Sequence, residues 1–225
     1  MTKKSALIIG ATGLVGSALV EFLLADADWS MVTVLARRPG PLRERLNWHV
    51  VDFAISSTWE PFATGDVLMN CMGTTIKIAG SQAEFRRIDL EIPLAVAGVA
   101  RSNGTPTCVS VSALGANSKS RVFYSRMKGE LESSLGGIGF GSLVHLRPSL
   151  LVGEREQTRA GEKAADIGMK MLKPLLVGPL RRWRAIAGRD VAQAMSILGK
   201  QAPQGELVLP SDAIAALVNR DSAKD

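Results

Sequence analysis

Histidine and cysteine are scarce, with two of each in 225 residues. His49 and His145 stand alone in strand-like runs, and Cys71 and Cys108 lie in apolar runs of the same kind. A metal centre gathers several such ligands at short spacing, so these residues predict no metal site. The two thiols read as packing residues in a reduced setting, not as a disulfide, which makes a cytoplasmic location the expectation. No apolar run approaches the roughly 18 uninterrupted residues that a membrane span needs. Lys3 and Lys4 do precede an apolar stretch, and Ala25-Asp26-Ala27 mimics a cleavage site. Regularly spaced glycines and Glu21 interrupt that stretch, however, and a secretory signal has no use for either. Aromatic residues make up only 5% of the chain. The formal charge of +6 comes with no recognition motif, so no nucleic-acid partner is expected.

What is present is ordinary core material, 46% hydrophobic and 21% charged, in a length that suits one domain. Short apolar runs alternate with amphipathic stretches. Strands are predicted at Ala6–Gly10, Met31–Arg37, Trp48–Phe53, Val67–Met72, Thr107–Ser112 and Ser142–Arg147, with helices near Leu14–Leu24, Ser81–Asn103 and Val122–Leu135. Runs rich in Val, Ile, Leu and Ala suit strands covered by helices on both faces, and the alternation predicts an α/β doubly wound parallel sheet. Ligands of such sheets bind at the carboxyl ends of the strands. After Ser149 the alternation weakens, and the remaining residues read as a small substrate-covering part, with about 150–190 as a lid.

The segment Ala6-Leu7-Ile8-Ile9-Gly10-Ala11-Thr12-Gly13-Leu14-Val15-Gly16 sets three glycines between a strand and a helix. Gly10 permits a sharp turn, Gly13 admits a pyrophosphate to the backbone, and Gly16 lets the helix pack close. Thr12, Leu14 and Val15 share the turn, and the helix N-terminus offers free amides to phosphate. A dinucleotide site is predicted. In an NAD site an acid about 20 residues further on bonds the ribose 2′-hydroxyl. That position holds Ala36, followed by Arg37 and Arg38. A carboxylate would repel a 2′-phosphate and a guanidinium can grip it, so NADP(H) is expected over NAD(H), with NAD(H) still possible.

The glycine turn, Tyr124-Ser125-Arg126-Met127-Lys128 and the upstream Ser110-Val111-Ser112 together resemble the short-chain dehydrogenase/reductase superfamily with its Rossmann fold. Cys71-Met72-Gly73-Thr74-Thr75, Val111 to Ala116, Phe123-Tyr124 with Lys128-Gly129-Glu130, and Leu146 to Gly153 resemble its atypical branch. That branch includes the Tat-interacting oxidoreductase-like proteins and their small bacterial relatives. Tyr124 and Lys128 are four apart on a helical stretch and share a face. A nearby ammonium stabilises a phenolate and makes the phenol a better acid. The resemblance implies that Tyr124 donates the proton, that Lys128 tunes it and holds the nicotinamide ribose, and that Ser112 positions the substrate carbonyl. Ser112 stands one position closer to Tyr124 than the superfamily spacing, which leaves Ser110 as the fallback. Asp89 stands where many relatives carry a relay asparagine. The resemblance further implies that Asp52 and Phe53 flank the adenine and that Cys71, Met72, Gly73, Thr74 and Thr75 back the ribose and pyrophosphate. It sets Arg147, Pro148, Ser149 and Leu150 beside the nicotinamide.

Between Arg159 and Arg189 stand eight basic residues and two acidic ones, which accounts for the whole charge excess. The segment reads first as a lid with solvated charges, and second as a surface for anionic lipid or an acidic partner. The expected activity is NADP(H)-dependent reduction of a small carbonyl substrate. Nucleotide sensing with little turnover, or epimerase- or dehydratase-like chemistry, are the alternatives.

Overall fold

The computed structural model describes residues 3–153, 184–221 and 223, and one seven-stranded sheet runs through them. Its strands are β1 (Lys4–Ile9), β2 (Trp29–Ala36), β3 (Leu46–Val50), β4 (Val67–Asn70), β5 (Thr107–Val111), β6 (Ser142–Arg147) and an edge strand β9 (Gly205–Pro210). β7 (Leu151–Val152) and β8 (Ile186–Ala187) form a separate ribbon. The helices are α1 (Leu14–Ala25), α2 (Ile76–Ala79), α3 (Gln82–Arg86), α4 (Ile92–Ser102), α5 (Phe123–Gly136), α6 (Gly188–Gln201) and α7 (Ser211–Asp221). A wide π-turn, Arg87–Glu91, joins α3 to α4. Every pairing in the sheet is parallel.

The strand order is β3-β2-β1-β4-β5-β6-β9, so the chain steps outward to β3 and then returns to β4 beside β1. The crevice at the carboxyl ends of β1 and β4 is the switch point where such sheets bind ligands. Successive side chains of β1 enter opposite cores, Ala6 and Ile8 one way, Leu7 and Ile9 the other. The first core takes Leu19 and Leu23 of α1, Met195 and Leu198 of α6, and Ile214 of α7. The second takes Phe85, Val96 and Leu131. Burial on both faces is why these strands read as continuous apolar runs. Among the described residues no helix is long and apolar enough to cross a membrane.

The sequence treated everything after Ser149 as a cover, and the structure corrects this. α6 packs on α1 and the sheet so closely that a Cβ on Gly199 would lie 2.6 Å from the Met69 methyl. β9 extends the sheet, and α7 closes the first core. β9 escaped detection because most of this edge strand is exposed, which erases the apolar run. Most of the expected lid at about 150–190, and with it most of the basic segment, lies outside the described residues.

Candidate functional site

The turn between β1 and α1 is built by backbone contacts. Gly10 has φ +81°, and a Cβ there would lie 2.5 Å from the carbonyl carbon of Cys71. At Gly16 a Cβ would lie 2.2 Å from the Gly10 oxygen. Both glycines are demands of the fold. Gly13 is different, because its φ of −85° is ordinary and its nearest neighbour would be the Gly10 oxygen at 3.3 Å. Gly13 is the N-cap of α1, with no side-chain cap and no acid in the first turn. The amides of Leu14, Val15 and Gly16 have no acceptor within the helix. That leaves an open, positively polarised end fit for a pyrophosphate, with exposed Thr12 beside it. The Leu14 side chain is an anchor, since Cβ atoms on Gly153 and Gly188 would lie 2.7 and 2.6 Å from it.

Arg37 and Arg38 follow β2 and are exposed. The Trp48 indole donates to the Arg38 carbonyl at 2.8 Å, and Gly40 lies so close that a Cβ would meet the Trp48 ring at 2.2 Å. The backbone carrying both guanidinium groups is therefore pinned to β3. Asp52, beyond β3, closes a local turn by accepting the Ala54 amide at 2.9 Å, and Phe53 leans on Trp59. Arg87 of the π-turn grips Glu84 of α3 with two bonds, 2.8 and 2.6 Å. That guanidinium holds the Glu84 carboxyl below the usual range, with a smaller contribution from Arg37.

Tyr124 and Lys128 share one face of α5, as predicted, but their surroundings differ. Tyr124 is 41% exposed, with its ring edge-on to Phe85 at 5.9 Å. Lys128 is 3% exposed and its ammonium lies 2.8 Å from Oδ1 of Asp89, which is fully buried. The other Asp89 oxygen accepts the Thr74 amide at 2.8 Å, and Lys128 also donates to the Met72 carbonyl at 3.5 Å. The π-turn inserts one extra residue per turn, which drives Asp89 inward. The sequence marked Asp89 as a departure at a relay position but not as the counter-ion of Lys128. The Cys71–Thr75 loop is thus tied to this ion pair, and a Cβ on Gly73 would lie 3.8 Å from both charged atoms.

Ser112 and Ser110 separate cleanly. Ser110 accepts a hydrogen bond from the Asn70 side chain at 2.9 Å inside the sheet and is fully buried there. Ser112 is buried with no hydrogen-bond partner for its hydroxyl among the described residues, while its amide donates to the Leu146 carbonyl at 2.7 Å. The residues after β6 divide similarly. Arg147 makes a bidentate pair with Glu132 of α5, at 2.9 and 2.5 Å. The Ser149 hydroxyl donates to the Arg184 carbonyl, and Pro148 is buried. Leu150 alone of the four is exposed. Arg147 therefore reaches across to α5, and its guanidinium is committed there. The Cys71 thiol lies 3.6 Å from the Met195 sulfur, and burial pushes it above its usual range. Only the Cys71 backbone faces the turn. Burial also pushes the Cys108 thiol up to about 12.

A family model described as NAD dependent epimerase/dehydratase family matches residues 6–128. The mitochondrial protein Fmp52 of Candida albicans is 37% identical over 96% of this chain and 98% of its own. Its Aspergillus niger counterpart is 30% identical over 95% and 94%. Among solved structures, the UDP-N-acetylglucosamine 4-epimerase of Methanobrevibacter ruminantium, in complex with UDP-N-acetylmuramic acid, superposes with a TM-score of 0.70 at 15% identity. The match covers 100% of this chain and 84% of that one. Bordetella bronchiseptica WbmG, in complex with NAD, gives 0.67 at 16%, over 100% and 79%. At such identities the structures speak for the fold. Both of these sequence relatives carry the name Fmp52 rather than that of a Tat-interacting oxidoreductase-like protein, so the broader family replaces the narrower resemblance. Their names place them in mitochondria, which overturns the cytoplasmic expectation. Thiols buried in strands are shielded in any compartment, so their burial carries no address.

Proposed function

Because the chain belongs to the NAD dependent epimerase/dehydratase family, we propose that it is a dinucleotide-dependent oxidoreductase. It reduces a small carbonyl or related substrate and prefers NADP(H) to NAD(H). One observation carries the coenzyme preference: the end of β2 has no carboxylate and presents two exposed guanidinium groups, Arg37 and Arg38. Both are free of hydrogen bonds and ion pairs to described residues. They would take the 2′-phosphate, while the amides of Leu14 to Gly16 hold the pyrophosphate. Asp52 and Phe53 would flank the adenine, and the Cys71–Thr75 backbone would back the ribose and pyrophosphate. Leu150 offers the apolar contact beside the nicotinamide.

When bound, the nicotinamide supplies the hydride. Tyr124, exposed on the first turn of α5, hands its proton to the carbonyl oxygen. Ser112 donates to the same oxygen, because its buried hydroxyl has bonding capacity that nothing described uses. Lys128, one helical turn further along the same face of α5, holds the coenzyme ribose. The test is titration with NADPH and NADH, followed by turnover of a carbonyl panel with the tighter coenzyme. Equal affinities would remove the NADP(H) preference. The Lys128–Asp89 pair favours a second reading, nucleotide binding with little turnover, since a carboxylate at 2.8 Å offsets the field that Lys128 exerts on Tyr124. Tight NADPH binding with no turnover across the panel would select it.

A further inference from the structure

The carboxyl ends of β2 and β3 face an ion pair that neither the glycine turn nor the catalytic residues need. Glu84 and Arg87, three apart on α3 and the π-turn, are joined by two bonds of 2.8 and 2.6 Å. Their side chains keep 35% and 39% of their exposure, so solvent and ligand reach them. Glu84 lies within electrostatic reach of Arg37 beyond β2. Arg87 lies within reach of Asp52 beyond β3. Phe85, next to Glu84 on α3, shares a core with Leu35 of β2 and Val51 just beyond β3, which sets the pair on the side of the cleft where the adenosine half of a dinucleotide would lie.

We propose that Glu84 and Arg87 are specificity-determining residues for the coenzyme, with Arg87 exchanging the Glu84 carboxylate for the 2′-phosphate when NADP(H) binds. The inference rests on the NADP(H) reading above. A carboxylate and a phosphate oxygen make equivalent bidentate demands on a guanidinium, so one can take the other's place at little geometric cost. Glu84 then acts as an internal competitor. It occupies Arg87 in the empty site and lowers the positive potential around Arg37 and Arg38, which moderates the preference for NADP(H). NADH has no group to make the exchange, so its affinity does not depend on the pair.

The experiment is fluorescence titration of the full chain and three variants with NADPH and NADH, alongside circular dichroism. Glu84→Gln should tighten NADPH by ~2–5-fold, the usual worth of an exposed ion pair. It should leave NADH within about twofold. Arg87→Ala should weaken NADPH by ~10-fold, the effect of one charge-assisted contact, again sparing NADH. If the pair merely staples α3 to the π-turn, both variants lose thermal stability while the NADPH-to-NADH affinity ratio stays at the unmodified value. That outcome overturns the proposal. Arg37→Ala separates this failure from failure of the underlying reading. A ratio that falls with Arg37→Ala but ignores Glu84 and Arg87 rejects this inference alone. A ratio near one in the unmodified protein rejects both.

Discussion

Replacing Gly13 by valine should remove dinucleotide binding from a chain that still folds. The turn's three glycines do not carry equal structural weight. A Cβ at Gly10 or Gly16 would sit 2.5 or 2.2 Å from backbone atoms, so substitution there tests only whether the turn can form. Gly13 has an extended, ordinary backbone, and its nearest obstacle at 3.3 Å is a single oxygen that must give by a few tenths of an ångström. Exchanging glycine for a β-branched residue at an N-cap costs about 0.5–1 kcal/mol. In a chain of this size that lowers the melting temperature by roughly 1–4 °C. The effect on the ligand is much larger. The valine methyls occupy the space through which phosphate oxygens reach the α1 amides, and each charge-assisted bond lost is worth ~1.5–3 kcal/mol. Two such bonds correspond to a loss of at least ~100-fold in affinity. NADPH fluorescence titration beside a thermal melt measures both quantities. A folded Gly13→Val protein that binds NADPH at the unmodified affinity would refute the placement of the pyrophosphate at this helix.

Arg37→Ala should cost NADPH ~1.5–3 kcal/mol of binding and leave NADH unaffected, read as the change in their affinity ratio. Tyr124→Phe should reduce carbonyl turnover by ~10²–10⁴-fold with coenzyme affinity unchanged; unaltered turnover in an active enzyme rejects Tyr124 as proton donor. Lys128→Ala should destabilise the fold by about 3–5 kcal/mol, because it strands the buried Asp89 carboxylate without its partner. The double variant Lys128→Met/Asp89→Leu should recover most of that loss in urea denaturation; no recovery would mean the pair does not act as a unit. Burial holds the His145 imidazole below its usual range against the opposing pull of Glu132 and Glu206. The unfolded chain therefore takes up the proton first, so its stabilising contribution is intact above pH ~6.5 and is lost as pH falls below it. His145→Gln should flatten the fall in urea midpoint between pH 7.5 and 5, and an unchanged slope would assign that fall to other groups.

Glycine spacing, apolar runs and a helical Tyr–Lys pair are local properties, which is why the sheet's first six strands, the Gly10–Gly16 turn, and the Arg37-Arg38 and Tyr124/Lys128 positions were legible in the sequence. A strand buried on both faces announces itself by composition, whereas the half-exposed edge strand β9 does not, and α6 and α7 could not be assigned to the core without it. The side-chain partners were settled only in three dimensions. Ser110 and Ser112 are chemically identical in sequence, yet Ser110 lies within β5 opposite Asn70 of β4 and bonds to it, whereas Ser112 stands just past the end of β5 with no partner for its hydroxyl among the described residues. Arg147 reads as a cleft residue until the register of β6 against α5 sets it across from Glu132. Asp89 and Lys128 are 39 residues apart, and only the π-turn, an irregularity with no sequence period, brings the carboxylate to the ammonium. Local chemistry can be read from neighbours in the chain. Which charges meet depends on how separate elements pack, and that is decided by the fold as a whole.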